Sequence, residues 1–220
     1  YTYIGNPPTA NAFPDLSSSV NYAVSSFNPL ITDTLLNIDS SSPSRSELLN
    51  WTRGADVLDE DADGNITESR YVMGDAIHAQ PTVVIYGKDT TNQTNQLNDA
   101  VVYLSTNDGF LHAIDVSTGT ELWSFIPQNL LGDLLKLYNN SSVTAKHYSL
   151  DGNIRALKYD INGDGIISTN TTLNGKSGSD RVLLYFSQGR GGDHYYALDV
   201  TDKSHPKYMW TLSSAELKYL

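Results

Sequence analysis

Short apolar runs separated by turn sequences dominate the chain between residues 81 and 125. Four such runs predict β-strands, at 81–86, 100–104, 110–115 and 121–125. A polar stretch at 90–99 and the turns NDG at 107–109 and STG at 117–119 separate these strands. Four short antiparallel strands within about 45 residues indicate one blade of a β-propeller.

The hydrophobic pattern changes to a helical spacing at 127–138. Apolar residues follow a proline there, at Leu130, Leu131, Leu134, Leu135 and Tyr138. We therefore predict one short amphipathic helix packed on the blade. Strand-like sequence returns at 148–159 and again at 180–187, with an acidic turn at 160–165 between them.

An internal repeat organises the second half of the chain, because the segment 101–125 aligns with 182–212. Matched positions in the two copies include the pairs Asp115 with Asp199 and Trp123 with Trp210. We expect each Asp to cap the following turn and each Trp to pack between neighbouring blades. The offset of 84 to 87 residues is about twice a blade period. Either one further blade intervenes or insertions lengthen a single one, and we favour a degenerate blade with insertions around 126–180.

These patterns predict an all-β fold: a partial, modified β-propeller of four-stranded antiparallel blades with loop insertions and one short amphipathic helix. We assign 48–220 to the propeller, as about two to four blades of a larger one. Residues 1–47 are rich in Ser, Thr, Pro and Asn and sustain no strand or helix period, which favours a connecting or insert segment. Because the chain begins with Tyr1 and not Met, we expect a trimmed part of a longer protein.

The composition and charge of the chain argue against several classes of function. The formal net charge is −11 and no run of Lys or Arg occurs, so the electrostatic footprint of nucleic-acid binding is missing and cation binding fits better. The absence of Cys excludes a disulfide framework, a cysteine zinc site and a thiol nucleophile. No stretch approaches 18 apolar residues, which predicts no direct insertion into a membrane.

An acidic loop at 59–70 has the spacing of an EF-hand-like calcium loop, with carboxylates at positions 1, 3 and 5 and a glycine at position 6. The candidate ligands are Asp59, Asp61, Asp63, the Asn65 backbone carbonyl and Thr67. Position 12 is Arg70 and not Glu, which leaves Glu68 as the nearby extra carboxylate. Fewer charged ligands predict weak binding, in the roughly 10⁻⁴ to 10⁻³ M range of extracellular modules. The alternative is a solvated acidic loop.

A second loop of this type begins at residue 160 and carries less negative charge. Its candidate ligands are Asp160, Asn162, Asp164, Ile166 (through its carbonyl) and Ser168. The pattern D-x-N-x-D-G again places a glycine at the sharp turn. We predict Ca²⁺ as the cofactor of both loops and no catalytic residue. The histidines lack the spacing of a zinc site or a catalytic triad and favour structural roles.

The repeat signature Ala-x-Asp-x-x-Thr-Gly-x-x-x-Trp is similar to repeats in quinoprotein dehydrogenases and in outer-membrane assembly propellers. More specific segments surround it: NWTRG at 50–54, GDAIHAQP at 74–81, NDGFLHA at 107–113, GRGG at 189–192 and YYALDVT at 195–201. In order and spacing these segments resemble the propeller of the PilC/PilY family of type IV pilus biogenesis and tip-adhesin proteins. The resemblance covers about residues 48–212.

The resemblance implies a non-enzymatic, secreted protein at the bacterial cell surface or pilus tip. Its implied partners are major or minor pilins at the pilus tip and a host or abiotic surface, with no nucleic acid. The loop at 160–168 has the form of the family's calcium loop, although Ser168 stands where the family usually has Asp. In the family, calcium at that loop governs pilus extension against retraction, and surface attachment is the associated function.

Two other functions stay open from the residues alone. A quinone-dependent (PQQ) dehydrogenase also combines such repeats with calcium, but the chain has no vicinal Cys pair and no convincing catalytic Asp. A non-catalytic scaffold propeller of the outer-membrane assembly type shares the Trp repeat, but it has no need for two acidic loops.

Overall fold

A computed structural model of the 220-residue chain describes every residue except 7, 10–11, 89–97, 141–145, 170, 174–175 and 218–220. For 88, 98, 171–173 and 176–177 it describes the backbone alone. Most of the predicted polar loop at 90–99 therefore lies outside the described residues.

The predicted first blade is confirmed as a four-stranded antiparallel sheet in the order β1-β2-β3-β4. Its strands are β1 (Thr82–Lys88), β2 (Asn98–Ser105), β3 (Leu111–Asp115) and β4 (Glu121–Phe125). Asp115 caps the turn after β3 as expected, since its carboxylate accepts the backbone N–H groups of Ser117 at 2.9 Å and Thr118 at 3.1 Å. These hydrogen bonds, with that of the Ser117 hydroxyl first, lower the pKa of Asp115.

The second sheet is also four-stranded and antiparallel, in the order β10-β9-β8-β5. Its strands are β5 (Arg155–Tyr159), β8 (Arg181–Ser187), β9 (His194–Asp199) and β10 (Lys207–Ser213). A two-stranded hairpin of β6 (Thr171–Leu173) and β7 (Lys176–Gly178) lies between β5 and β8. Within the described residues no third four-stranded sheet separates the two, so insertions account for the long repeat offset. The two sheets do not close into a ring.

Three α-helices accompany the sheets in the described part of the chain: α1 (Arg45–Thr52), α2 (Asp133–Asn139) and α3 (Ser214–Leu217). The predicted helix at 127–138 is confirmed as a 3₁₀ turn at Gln128–Leu130 followed by α2, and the four leucines of the predicted pattern are buried. The hydrophobic pattern does not predict α1 or α3, which accompany this helix.

The leading segment, residues 1–47, contributes side chains to the same hydrophobic core as the two sheets. Leu16, Ile31 and Leu36 are fully buried in the same hydrophobic cluster as the strands. Backbone hydrogen bonds also join the two parts, for example from the Leu16 N–H to the Pro206 carbonyl at 2.9 Å. The assignment of 1–47 as a connecting or insert segment stays a prediction.

The two sheets meet around Trp123, which is 5% exposed. Its indole N–H donates at 2.8 Å to the carbonyl of Lys203, which lies in the turn between β9 and β10 of the second sheet. The Lys203 ammonium in turn pairs with Asp99 and, at 3.6 Å, with Asp115 of the first sheet. The expected packing of Trp123 between the sheets is confirmed, whereas the matched Trp210 is only half-buried.

Candidate functional site

The first acidic loop follows α1 and is closed at its base by backbone pairing. Ala55 and Ser69 form an isolated antiparallel bridge. The Arg70 N–H donates to the Gly54 carbonyl at 2.8 Å, and the Asp56 N–H donates to the Glu68 carbonyl at 3.0 Å. The two ends of the loop therefore meet, and the residues between them turn back sharply.

The structure brings the three predicted aspartates of this loop together. Asp59, Asp61 and Asp63 each offer a carboxylate oxygen within 4.8 Å of the others, and Asp61 also belongs to a second such group with Asp56 and Glu68. Carboxylates this close repel one another unless a cation lies between them. The pKa of Glu68 is raised, first by the charge of Asp63 and then by burial and the other nearby aspartates.

The backbone of the loop has the turn that the spacing predicts. The Asp59 carboxylate accepts the Gly64 N–H at 3.0 Å, and Gly64 adopts a left-handed φ of 87°. The other two predicted ligands interact with each other, since the Thr67 hydroxyl donates to Asn65 Oδ1 at 2.8 Å. The Asn65 N–H also donates to the Asp63 carboxylate at 2.7 Å. The ligand roles of the Asn65 carbonyl and of Thr67 stay predictions.

Asp56 is a candidate ligand that the sequence pattern misses. It precedes the twelve-residue loop pattern, yet its carboxylate is buried and reaches the same group as Asp61 and Glu68. Both of its oxygens accept the Glu60 N–H, each at 3.0 Å. The Asp-x-x-Asp spacing into the loop is the only sequence signal that points to it.

Arg70, at the position where an EF-hand has its bidentate glutamate, lies against α1 and not in the carboxylate cluster. Its guanidinium is 4.3 Å from the centre of the Trp51 ring, and it donates to the Trp51 carbonyl at 2.9 Å. A longer ion pair joins it to Glu60 at 3.6 Å. Arg70 therefore has a structural role at this position, because its side chain contacts both α1 and the acidic loop.

The second acidic loop links β5 to the β6–β7 hairpin. The Asp160 carboxylate accepts the N–H groups of Gly163 and Gly165, both at 2.7 Å, and the Asp164 carboxylate accepts the Ile166 N–H at 2.8 Å. The side-chain amide of Asn162 donates to Asp164 at 2.8 Å. The carboxylates of the loop therefore accept hydrogen bonds from the loop's own backbone, and these hydrogen bonds define its conformation. In the described residues, the groups of three converging carboxylates are those of the first loop.

Asp180 closes the second loop and is not part of any local motif. It is fully buried, and its two carboxylate oxygens accept the Ile161 N–H at 2.9 Å and the Ser168 N–H at 2.7 Å. Its own N–H donates to the Ser168 carbonyl at 3.1 Å. Both ends of the loop are therefore held by one residue that directly precedes β8.

The donor chemistry of both loops fits a hard divalent cation. All candidate ligand atoms are carboxylate, amide, hydroxyl or carbonyl oxygens, and Ca²⁺ takes six to eight of these. The histidines lie elsewhere and pair with carboxylates, for example His78 with Asp151 at 2.7 Å and His112 with Glu121 at 3.0 Å. None of the helices formed by the described residues has the length and apolarity needed to cross a bilayer.

The fold and its loops define the class of protein as a partial β-propeller with acidic insertions. The sequence is similar to a type IV pilus biogenesis factor PilY1 homolog of Xylella fastidiosa, at 29% identity over 190 residues, covering 78% of this chain and 14% of that protein. It is also similar to the type IV pilus biogenesis factor PilY1 of Pseudomonas aeruginosa, at 26% identity over 184 residues, covering 74% of this chain and 15% of that protein. These similarities confirm the resemblance to the PilC/PilY family.

The chain spans about one seventh of the length of these curated relatives. Among solved structures, the crystal structure of the Pseudomonas aeruginosa PilY1 C-terminal domain aligns with a TM-score of 0.32 and 23% identity, over 58% of this chain and 21% of that one. No protein-family model matches the chain.

Proposed function

We propose that this chain is the propeller portion of a type IV pilus biogenesis factor. The observation that carries the proposal is the sequence similarity to proteins named PilY1, which extends over about three quarters of the chain. The relatives are named as biogenesis factors and not as dehydrogenases or outer-membrane assembly scaffolds, which supports a non-enzymatic role. A quinone absorbance in the purified full-length protein would contradict that role.

The proposed location is the cell surface, at the pilus tip, after secretion. There the propeller contacts major or minor pilins and a host or abiotic surface. The net charge of −11 supports a cation-dependent contact and gives no support to nucleic-acid binding.

Calcium is the proposed ligand of the two acidic loops, and its occupancy is the proposed control of pilus extension against retraction. The support is the convergence of Asp59, Asp61 and Asp63 and the defined turn around Asp160 and Asp164. A cation that binds only the folded loops stabilises them by an amount that rises with its concentration. Because calcium is millimolar outside the cell and low inside, the stability of the folded loops would then differ between the two compartments.

Deleting the gene in the bacterium that encodes the protein tests the pilus role. We expect the loss of surface pili and of twitching motility, both restored by the full-length protein expressed in trans. Pili are counted by electron microscopy, and sheared pilin is measured by immunoblot. Unchanged surface pili and motility in the deletion strain would contradict the proposed function.

Loop variants of the full-length protein test the calcium control separately. We expect the double variant Asp160→Ala, Asp164→Ala to restore normal protein levels but not normal twitching, because the second loop loses both of its ionised ligands. Asp39→Ala is the matched control, since Asp39 is an exposed aspartate that accepts hydrogen bonds from Ser41 and Ser42 in a remote turn. Normal twitching in the double variant, measured by colony expansion, would show that the second loop does not control motility.

A further inference from the structure

The junction between the two sheets includes a second contact, at the edge strand β1. The register of β1 against β2 skips Tyr86, so a β-bulge turns the backbone of this residue away from its own sheet. The Tyr86 carbonyl accepts the Ile167 N–H at 2.7 Å, and its hydroxyl donates to the Val200 carbonyl at 2.7 Å. Ile167 lies in the second acidic loop region and Val200 directly follows β9, so one residue of the first sheet contacts both the acidic loop and the backbone next to the second sheet.

Neighbouring contacts hold the same loop against β1. The Lys158 ammonium, on β5, donates to the Ile85 carbonyl at 2.7 Å and lies 3.5 Å from the Gly165 carbonyl of the loop. The side chain of Ile166 covers Gly87, where an added Cβ would lie 3.7 Å from it. The acidic loop is therefore part of the contact between the sheets and not a free surface turn.

Asp180 connects the two ends of this loop. Because its carboxylate holds the N–H groups of Ile161 and Ser168, the loop between them is fixed at both ends from one buried point. Residue 168 is next to Ile167, whose N–H donates to Tyr86. The hydrogen bonds to Asp180 and to β1 are therefore made by adjacent backbone groups of the loop.

We infer that Asp180 is the positioning residue that couples cation binding in the loop at 160–168 to the junction between the two sheets. The inference rests on the proposed binding of calcium by that loop. A cation held by Asp160 and Asp164 restricts the loop, and Asp180 keeps the restricted loop in place for the Ile167 to Tyr86 hydrogen bond. Coupling between two sites is reciprocal, so weakening the junction also weakens calcium binding.

The test compares Asp180→Asn with the wild-type chain by calcium titration and amide hydrogen exchange. In the wild type, calcium is expected to slow exchange of the Ile167 and Ser168 amides. Residues that orient metal ligands typically change affinity by about 10- to 100-fold when they are replaced. We therefore expect Asp180→Asn to raise the calcium Kd of the second loop about tenfold and to abolish the calcium-dependent protection of Ile167.

Two further variants complete the experiment. Asp39→Asn is the matched control, since Asp39 also accepts a backbone N–H, from Ser41, but lies in a remote exposed turn, and its calcium Kd is expected to equal that of the wild type. Lys158→Met removes a charge from the exposed strand β5 and tests the same junction should Asp180→Asn fail to fold. It is expected to reduce both calcium affinity and the protection of Ile167, by less than Asp180→Asn does.

The outcomes separate the inference from the proposed function. Wild-type calcium affinity at the second loop in Asp180→Asn, or in Lys158→Met where the first variant does not fold, overturns the inference. Calcium binding by the wild type without any change in Ile167 exchange also overturns it. A wild-type chain that binds no calcium at the second loop overturns the calcium proposal, and the inference with it.

Discussion

Replacing Trp123 with alanine is expected to lower the melting temperature by roughly 6–20 °C, because a buried Trp→Ala change costs about 3–5 kcal/mol and each kcal/mol corresponds to about 2–4 °C in a chain of this size. Trp123 fills the contact between the sheets and donates its indole N–H to Lys203. Thermal melts followed by circular dichroism measure the shift.

The repeat provides the matched control for this prediction. Trp210 occupies the equivalent position in the second sheet but is only half-buried, and its described ring contact is with Tyr185 at 6.0 Å. We expect Trp210→Ala to lower the melting temperature by less than half as much. Equal effects of the two substitutions would contradict the larger contribution assigned to Trp123.

Removing calcium is expected to lower the melting temperature by roughly 3–11 °C for each loop that binds it, measured in 10 mM calcium against EGTA. With a Kd of about 10⁻⁴ to 10⁻³ M, that concentration stabilises the folded chain by about 1.4–2.7 kcal/mol per loop. The same concentration of magnesium should have a smaller effect, because Mg²⁺ requires strict octahedral geometry and gives up its water reluctantly.

Asp61→Asn separates the contribution of the first loop, since Asp61 is shared by both groups of converging carboxylates. In EGTA the variant should melt at or slightly above the wild-type temperature, because one repelling charge is gone. In calcium it should lose the part of the shift that the first loop provides. Asp39→Asn, in a remote turn, should respond as the wild type does. Identical melts of the wild type in calcium and EGTA would count against both loops.

The strands of the first sheet follow from the sequence because their determinants are local. Alternating side chains and the turns at 107–109 and 117–119 specify β2, β3 and β4 nearly residue by residue. The second sheet is less evident, because a long insertion separates β5 from β8 and every residue of β5 is exposed. Its position at the edge of the sheet depends on pairing with β8, which no pattern within 155–159 reveals.

The helix α1 had a sequence signal that the hydrophobic pattern obscures. Ser44 and Glu47 have the spacing of a capping box, and the Ser44 hydroxyl accepts the Glu47 N–H at 3.2 Å. Because only Leu48 and Leu49 of the helix are buried, the apolar period is too short to identify it. Capping chemistry is the better predictor for a helix of this length.

Part of the candidate site can be predicted from local sequence spacing, and the rest depends on tertiary contacts. The convergence of Asp59, Asp61 and Asp63 follows from their spacing around a glycine turn. Asp56 enters that group through the closure of the loop base, and Asp180 reaches the second loop only after the intervening hairpin has folded back. Neither residue is at a position that a loop pattern specifies, so the three-dimensional structure was needed to find them.

The burial of Leu16, Ile31 and Leu36 among the strand side chains has a consequence for how the molecule denatures. Elements that share one core lose their packing together, so the leading segment and both sheets should behave as a single cooperative unit. Proteolytic cleavage next to Leu16, Ile31 or Leu36 would then require the shared core to open, and susceptibility to protease at these residues would report global stability.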